Sequence, residues 1–124
     1  MNIAATIARL VLGLIFTFAG VMMFVVTTPP PQPGLAGAFN EVLMQSHYAL
    51  FVGAAQIAIG VLFLLNRYVP IALVMLAAFL YNSFAFHITM AQAALPAPLI
   101  VLALAIIVAL KYRPLFARLA QYTP

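Results

Sequence analysis

The sequence predicts an all-α protein, a four-transmembrane-helix bundle that forms a single integral membrane domain over residues 1–124. Of the 124 residues, 68% are hydrophobic and only 5% are charged, and the mean hydropathy is +1.22. A soluble domain needs about a quarter of its residues charged. The charged residues also leave uncharged intervals longer than the roughly 20 apolar residues that cross a bilayer. We therefore expect the lipid bilayer to be the solvent of this chain.

The charged side chains set the limits of the spans. The uncharged intervals cover residues 10–40, 42–66 and 68–110. The last interval is too long for one crossing, and Pro96 and Pro98 in its middle disfavour a continuous helix. We place a tight hairpin there. The four predicted spans are then residues 3–26, 47–65, 69–90 and 97–112.

The connection between the first and second spans is the long one. It begins with a proline-rich segment at residues 27–34, which leaves most backbone hydrogen bonds unmade and must lie outside the hydrocarbon. Residues 35–46 then place apolar side chains at helical spacing, which favours a short helix at the membrane interface over an ordinary loop. The apolar positions are Leu35, Phe39, Val42 and Leu43.

The basic residues predict the orientation of the bundle. Arg9 lies near the amino terminus, Arg67 lies in the second connection, and three more basic residues lie in the tail after residue 110. The first and third connections contain no Lys or Arg. By the positive-inside rule, both termini are cytoplasmic and the proline-rich loop is extracytoplasmic.

Several function classes are disfavoured by composition. The chain has no cysteine, which excludes disulfides, thiol redox exchange and iron–sulfur ligation. Its one acidic side chain is Glu41, so paired-carboxylate chemistry and a serine triad have no basis. Five scattered cations are a poor surface for nucleic acid. We assign no catalytic residue and favour a non-enzymatic role over an enzymatic one.

Two amides inside the predicted spans share a depth. Gln56 lies roughly 13 Å below the outer end of the second span, and Asn82 roughly 12 Å below that of the third. An amide-to-amide bond between them, with Tyr81 or Ser83 nearby, would satisfy groups that otherwise face lipid. The alternative is that these side chains contact a ligand near the bilayer midplane.

Glycines and other small residues form a stripe on each of the first two spans. Gly13 and Gly20 lie on one face of the first, and Gly53 and Gly60 on one face of the second. Small residues let membrane helices approach closely. We expect these faces either to meet or to line a common cleft, with packing favoured.

Arg9 and His87 each allow two interpretations. Arg9 either extends to the cytoplasmic headgroups or points inward to hold a lipid phosphate or a polar ligand head. His87 either bonds a carbonyl or acts as a proton carrier or a donor to a quinone carbonyl. Ser83 shares its helix face, whereas Asn82 lies about 140° away around the helix. His87 and His47 together suggest a haem or metal site. The chain lacks ligand spacing such as His-x-x-x-His, however, and we expect no metal.

Three stretches together resemble the DoxX family of small four-helix membrane proteins, over about residues 7–113. They are Ala8-Arg9-Leu10-Val11-Leu12-Gly13-Leu14-Ile15-Phe16 with Ala19-Gly20, Val52-Gly53-Ala54-Ala55-Gln56-Ile57-Ala58-Ile59-Gly60 with Leu64-Leu65-Asn66-Arg67-Tyr68, and Tyr81-Asn82-Ser83-Phe84-Ala85-Phe86-His87. The resemblance implies a multi-pass protein of the bacterial inner membrane, associated as an accessory subunit with quinone-linked respiratory oxidoreductases. The positions it implies are Arg9, Gln56, Asn82 and His87.

Two departures from the DoxX pattern remove charge. Gln56 stands where many relatives carry glutamate, and residues 21–24 replace a lysine often found after the first-span glycine. Both changes weaken any proton-relay or ion-pair mechanism that would depend on those groups.

These observations favour a non-catalytic accessory subunit or binding module for a quinone or lipid-like ligand. The expected partners are the bilayer, a membrane oxidoreductase or further copies of the chain, and not nucleic acid. A small oligomeric transporter or channel, a structural assembly subunit and a haem-bearing oxidoreductase remain alternatives. The expected ligand-binding residues are Arg9, Gln56, Tyr81, Asn82 and His87.

Overall fold

A computed structural model describes residues 3–26 and 32–121. Within these two stretches the chain forms six α-helices and one short 3-10 helix, and no β-strand. The 3-10 helix is Gln92–Ala94. The α-helices are α1 (Ile3–Val25), α2 (Gly34–Gln45), α3 (Tyr48–Leu65), α4 (Val69–Met90), α5 (Pro96–Lys111) and α6 (Arg113–Leu119).

The predicted spans correspond to α1, α3, α4 and α5, and the observed ends lie within one residue of the predicted ones. Four helical segments of the described chain are long and apolar enough to cross a membrane, which indicates a multi-pass membrane protein. The hairpin before α5 is also confirmed. The chain turns through the 3-10 helix, and α5 begins at Pro96, where a missing N–H costs no helical hydrogen bond.

The four long helices form a bundle in which each packs against two neighbours. α1 contacts α3 most extensively and also contacts α5, while α4 contacts both α3 and α5. Large side chains from all four helices fill the centre and are fully buried. They include Leu12, Phe63, Leu76 and Val108.

The outside of the bundle is apolar as well. Phe51 on α3 is 77% exposed and Tyr81 on α4 is 78% exposed, and aliphatic side chains surround them along the same outer faces. A soluble bundle would carry polar side chains there. An apolar exterior around an apolar centre is typical of a bundle whose solvent is lipid.

The glycine faces of α1 and α3 meet, as the packing interpretation predicted. A methyl carbon added at Gly20 would lie 2.6 Å from the carbonyl oxygen of Gly53, and one added at Gly60 would lie 2.5 Å from the amide nitrogen of Thr17. Any larger residue at these positions would push the helices apart. The glycines therefore permit the close contact that makes α1 and α3 the tightest pair of the bundle.

α2 confirms the predicted short helix between the first two spans. It packs against α3 and α4, and its Phe39 ring lies 5.2 Å from the ring of Phe86 on α4. This contact covers the end of the bundle where α1 ends and α3 begins. Of the proline-rich segment, residues 27–31 lie outside the described residues.

α6 was not predicted. Arg113–Leu119 continues from α5 after a break at Tyr112, with Pro114 in its first turn, a position that suits proline. Phe116 of α6 packs against the buried core, which helps to hold this helix against the bundle. The basic tail of the sequence is therefore helical over this stretch.

Candidate functional site

Gln56 is the polar side chain buried most deeply in the bundle. It lies on α3, is 6% exposed, and its Oε1 accepts no hydrogen bond. Within the described ranges, Thr17 Oγ1 on α1 is the other buried side-chain oxygen without a partner. An unpaired polar group in an apolar interior costs about 1–3 kcal/mol. A donor on an ordered water or on a bound molecule satisfies such a group.

Gln56 lines a cleft that we call the inner cavity, with a volume of about 140 Å³. Its walls come from α1, α3, α4 and the start of α5. Ser83 and His87 of α4 provide its other hydrogen-bonding side chains. An amide, a hydroxyl and an imidazole thus converge on one space between the helices.

The hydrogen bonds of His87 determine which ring nitrogen is protonated. Nδ1 lies 2.7 Å from the backbone carbonyl oxygen of Ser83 and 3.4 Å from the Ser83 hydroxyl. A carbonyl oxygen only accepts, so Nδ1 must be the donor. In the neutral imidazole, Nε2 then carries a lone pair and accepts a hydrogen bond. The predicted carbonyl-bonded histidine is confirmed, and so is its shared face with Ser83.

The apolar walls give the inner cavity the size of one ring. Phe16 of α1 and Phe79 of α4 both line it, and their rings meet edge to face at 5.2 Å with an interplanar angle of 81°. A cavity of roughly 150 Å³ lined by apolar side chains accommodates benzene. The inner cavity therefore has room for one six-membered ring with hydrogen-bonding groups at its edge.

Asn82 and Tyr81 lie outside this site. Asn82 is exposed on α4, and its Nδ2 donates to the carbonyl oxygen of Ala78 at 3.0 Å. The predicted bond between Gln56 and Asn82 is therefore wrong. The two amides were compared by depth alone, but Asn82 is two residues, or about 200°, from buried Leu80 and so faces away from the core. Tyr81 likewise faces outward.

Arg9 lies at the other end of α3. Its Nη1 donates to the carbonyl oxygens of Phe63 and, at 3.5 Å, Leu64. The last carbonyls of a helix lack partners within the helix, and a cation there also interacts favourably with the helix dipole. Arg9 is half-buried and joins α1 to α3 without lining the inner cavity.

The remaining acidic and imidazole groups are dispersed. Glu41 accepts a hydrogen bond from Gln45 of α2 at 3.0 Å, so it is not paired with Arg9. His47 is exposed in the turn before α3, with φ of 64°. In the stretches that the structure describes, no three His, Asp or Glu side chains lie close enough to hold a metal ion.

A second cleft, the outer cavity, lies under α2 and has a volume of about 300 Å³. Met22 and Met23 of α1 and Leu43 and Met44 of α2 contribute to its walls. Ala19 of α1 lines both cavities. Sequence reasoning missed the outer cavity and the aromatic walls of the inner one, because a stripe of apolar residues on a membrane helix looks the same whether it faces lipid, core or a cleft.

Comparison with known proteins identifies no relative of this chain. No family model matches it, and neither a curated protein nor a solved structure matches it. The comparisons thus give no support to the resemblance to the DoxX family.

Proposed function

We propose that this protein is a non-catalytic binding module of the bacterial inner membrane that holds a quinone or lipid-like ligand in the inner cavity. Both termini are cytoplasmic, and α2 lies at the extracytoplasmic interface. The distribution of the basic residues supports this orientation. The four apolar helices support the multi-pass arrangement.

The observation that carries this proposal is Gln56. Its Oε1 is buried without a partner, and its side chain lines a ring-sized cleft that also presents His87. A ligand with hydroxyl groups on a six-membered ring supplies the hydrogen-bond donor that Oε1 of Gln56 lacks. The amide donates to a ring carbonyl or accepts from a ring hydroxyl, and Nε2 of His87 accepts from a hydroxyl. A quinol supplies both donors, whereas a quinone carries only acceptors and pairs with the amide N–H of Gln56 alone.

The chemistry of the lining favours binding over catalysis. The polar groups around the inner cavity are an amide, a hydroxyl and an imidazole, and the cavity borders carry no carboxylate or lysine. Such a site orients a ring, and Nε2 of His87 accepts a hydrogen bond from a ring hydroxyl. Electron transfer would then belong to a partner, and a membrane oxidoreductase is the partner that a bound quinone implies.

A small-molecule retention experiment tests the proposal. Protein extracted gently from its native membrane is analysed by mass spectrometry as wild type, Gln56→Leu and Asn82→Leu. We expect the wild type and Asn82→Leu to retain a ring-headed lipid, and Gln56→Leu to retain about three- to tenfold less, as the loss of one hydrogen bond implies. Asn82 is the matched control because it is an amide that lies outside the cavity.

Equal retention in all three proteins would contradict the proposal, provided that thermal unfolding shows each variant to be folded. Loss of ligand in Asn82→Leu alone would place the site on the outer face of α4 instead. Absence of any ring-headed molecule from the wild type would contradict a quinone-like ligand.

The structure weakens one alternative. A structural assembly subunit that bound other proteins through its glycine faces would need those faces to be free, but Gly20 and Gly53 pack against each other within the chain. These faces are occupied in the bundle. The transporter alternative has no comparable observation in its favour.

A further inference from the structure

The outer cavity has an apolar lining suited to a hydrocarbon chain. Met22, Met23 and Met44 supply flexible thioether side chains, and Leu43 supplies an aliphatic one. Asn40 is the polar residue at this wall, and its Nδ2 already donates to Gln32 at 2.9 Å. A polar molecule would find few partners in this cavity, whereas methionine side chains adapt readily to an irregular apolar one.

The two cavities are neighbours along one helix. Phe16 lines the inner cavity, Ala19 lines both, and Met22 and Met23 line the outer cavity. Residues three and four apart follow one face of a helix, so these side chains form a continuous stripe on α1. The residue at the junction is alanine, whose side chain is a single methyl group. A substituent that leaves the inner cavity beside Ala19 therefore meets the methionines next.

We propose that the outer cavity holds the apolar tail of the ligand whose ring occupies the inner cavity. This inference rests on the proposed function and specifies its ligand as a molecule with one ring head and a hydrocarbon tail. A cavity of roughly 150 Å³ accommodates the six carbons of benzene. The outer cavity has a volume of about 300 Å³ and, on the same scale, accommodates about twelve carbon atoms. This is the length of a short isoprenoid or alkyl segment, with any further tail extending into lipid.

The test must account for the bilayer, because lipid is as apolar as the outer cavity. Removing a methylene contact from the outer cavity would change the affinity for the tail little. An amide placed against the tail, in contrast, is left unpaired when the tail binds. Leu43→Asn places this amide in the outer cavity. Leu35→Asn is the matched control, because it makes the same change on α2 at a side chain that is 70% exposed.

The experiment measures the binding of two probes to protein in lipid nanodiscs under reducing conditions. Methylhydroquinone carries the ring without a tail, and decylhydroquinone carries the same ring with ten tail carbons. We expect Leu43→Asn to weaken decylhydroquinone binding about tenfold and to leave methylhydroquinone binding unchanged. Leu35→Asn should change neither. Should Leu43→Asn fail to fold, Met44→Gln, which is nearly isosteric, replaces it with the same expectation.

The outcomes separate this inference from the proposed function. Unchanged decylhydroquinone binding in Leu43→Asn and Met44→Gln overturns the tail site while leaving the ring site intact. Equal weakening of both probes in either variant shows that the change disturbs the ring site, and also overturns the tail assignment. If the wild type binds neither probe, the proposed function fails for a quinol ligand and this inference fails with it.

Discussion

Arg9 is a charged side chain that binds the end of a neighbouring helix. Its guanidinium donates to the last carbonyl oxygens of α3, while Asn66 and Arg67 donate their backbone N–H groups to Phe63 and Leu62 at 3.2 Å. Several donors thus share the orphan carbonyls of one helix end. Arg9 therefore stabilises the contact between α1 and α3 at the end that the proposed orientation makes cytoplasmic.

Replacing Arg9 with leucine should therefore affect stability more than ligand binding. We expect Arg9→Leu to lower the free energy of unfolding by about 1–2 kcal/mol, since it loses hydrogen bonds and a favourable helix-dipole interaction. Ligand retention should stay at the wild-type level because Arg9 does not line the inner cavity.

Thermal unfolding in detergent, together with mass spectrometry of retained ligand, checks this prediction. Arg118→Leu is the control, since Arg118 is exposed on α6 and its removal should be nearly neutral. An Arg9→Leu protein that unfolds normally but loses its ligand would instead restore the role in which Arg9 holds a polar ligand head.

At the scale of elements, the sequence predicts helix ends better than helix faces. Proline, polar residues and charge mark the ends of α4 and α5 directly, and the observed ends agree with the predicted ones. The rotation of a helix about its own axis is harder to predict from sequence, because α4 is apolar on both its inner and its outer side. The sequence therefore allows Gln56 and Asn82 to be compared by position along their helices but does not give the direction in which each side chain points. Only packing shows that one faces the core and the other faces outward.

The short helices illustrate the same limit. α2 could be predicted because its apolar residues recur at helical spacing next to a proline-rich segment. The contact of α2 with α4 through Phe39 and Phe86 could not be predicted, because no local sequence pattern specifies which helix α2 packs against. The outer cavity forms because α2 packs against α3 and contributes Leu43 and Met44 to a cleft that α1 residues also line. Long-range packing, rather than local propensity, creates the candidate tail site.

The topology of the whole molecule can be tested with introduced thiols, since the natural chain has no cysteine. Gln45, Gln92 and Ala120 are exposed and lie after the first, third and fourth long helices. We expect a membrane-impermeant thiol reagent to label Gln45→Cys and Gln92→Cys from outside intact cells. Ala120→Cys should react only after the membrane is opened.

Labelling of Ala120→Cys in intact cells would contradict the proposed orientation. Labelling of Gln45→Cys and Gln92→Cys from opposite sides would contradict two crossings by α3 and α4. A substituted thiol at exposed Ala117 of α6 should behave like that at Ala120 and serves as the control for local accessibility.

The proposed function requires a ring to occupy the space between α1, α3, α4 and α5, and photo-crosslinking tests this most directly. A tail-free hydroquinone that carries a diazirine is irradiated with the protein in nanodiscs, and tandem mass spectrometry locates the adducts. We expect adducts on Phe16, Phe79 and Val101, which line the inner cavity from three helices, and we expect unlabelled methylhydroquinone to compete with their formation. Adducts confined to the outward-facing side chains of Phe51 and Tyr81, without competition, would contradict the proposed function.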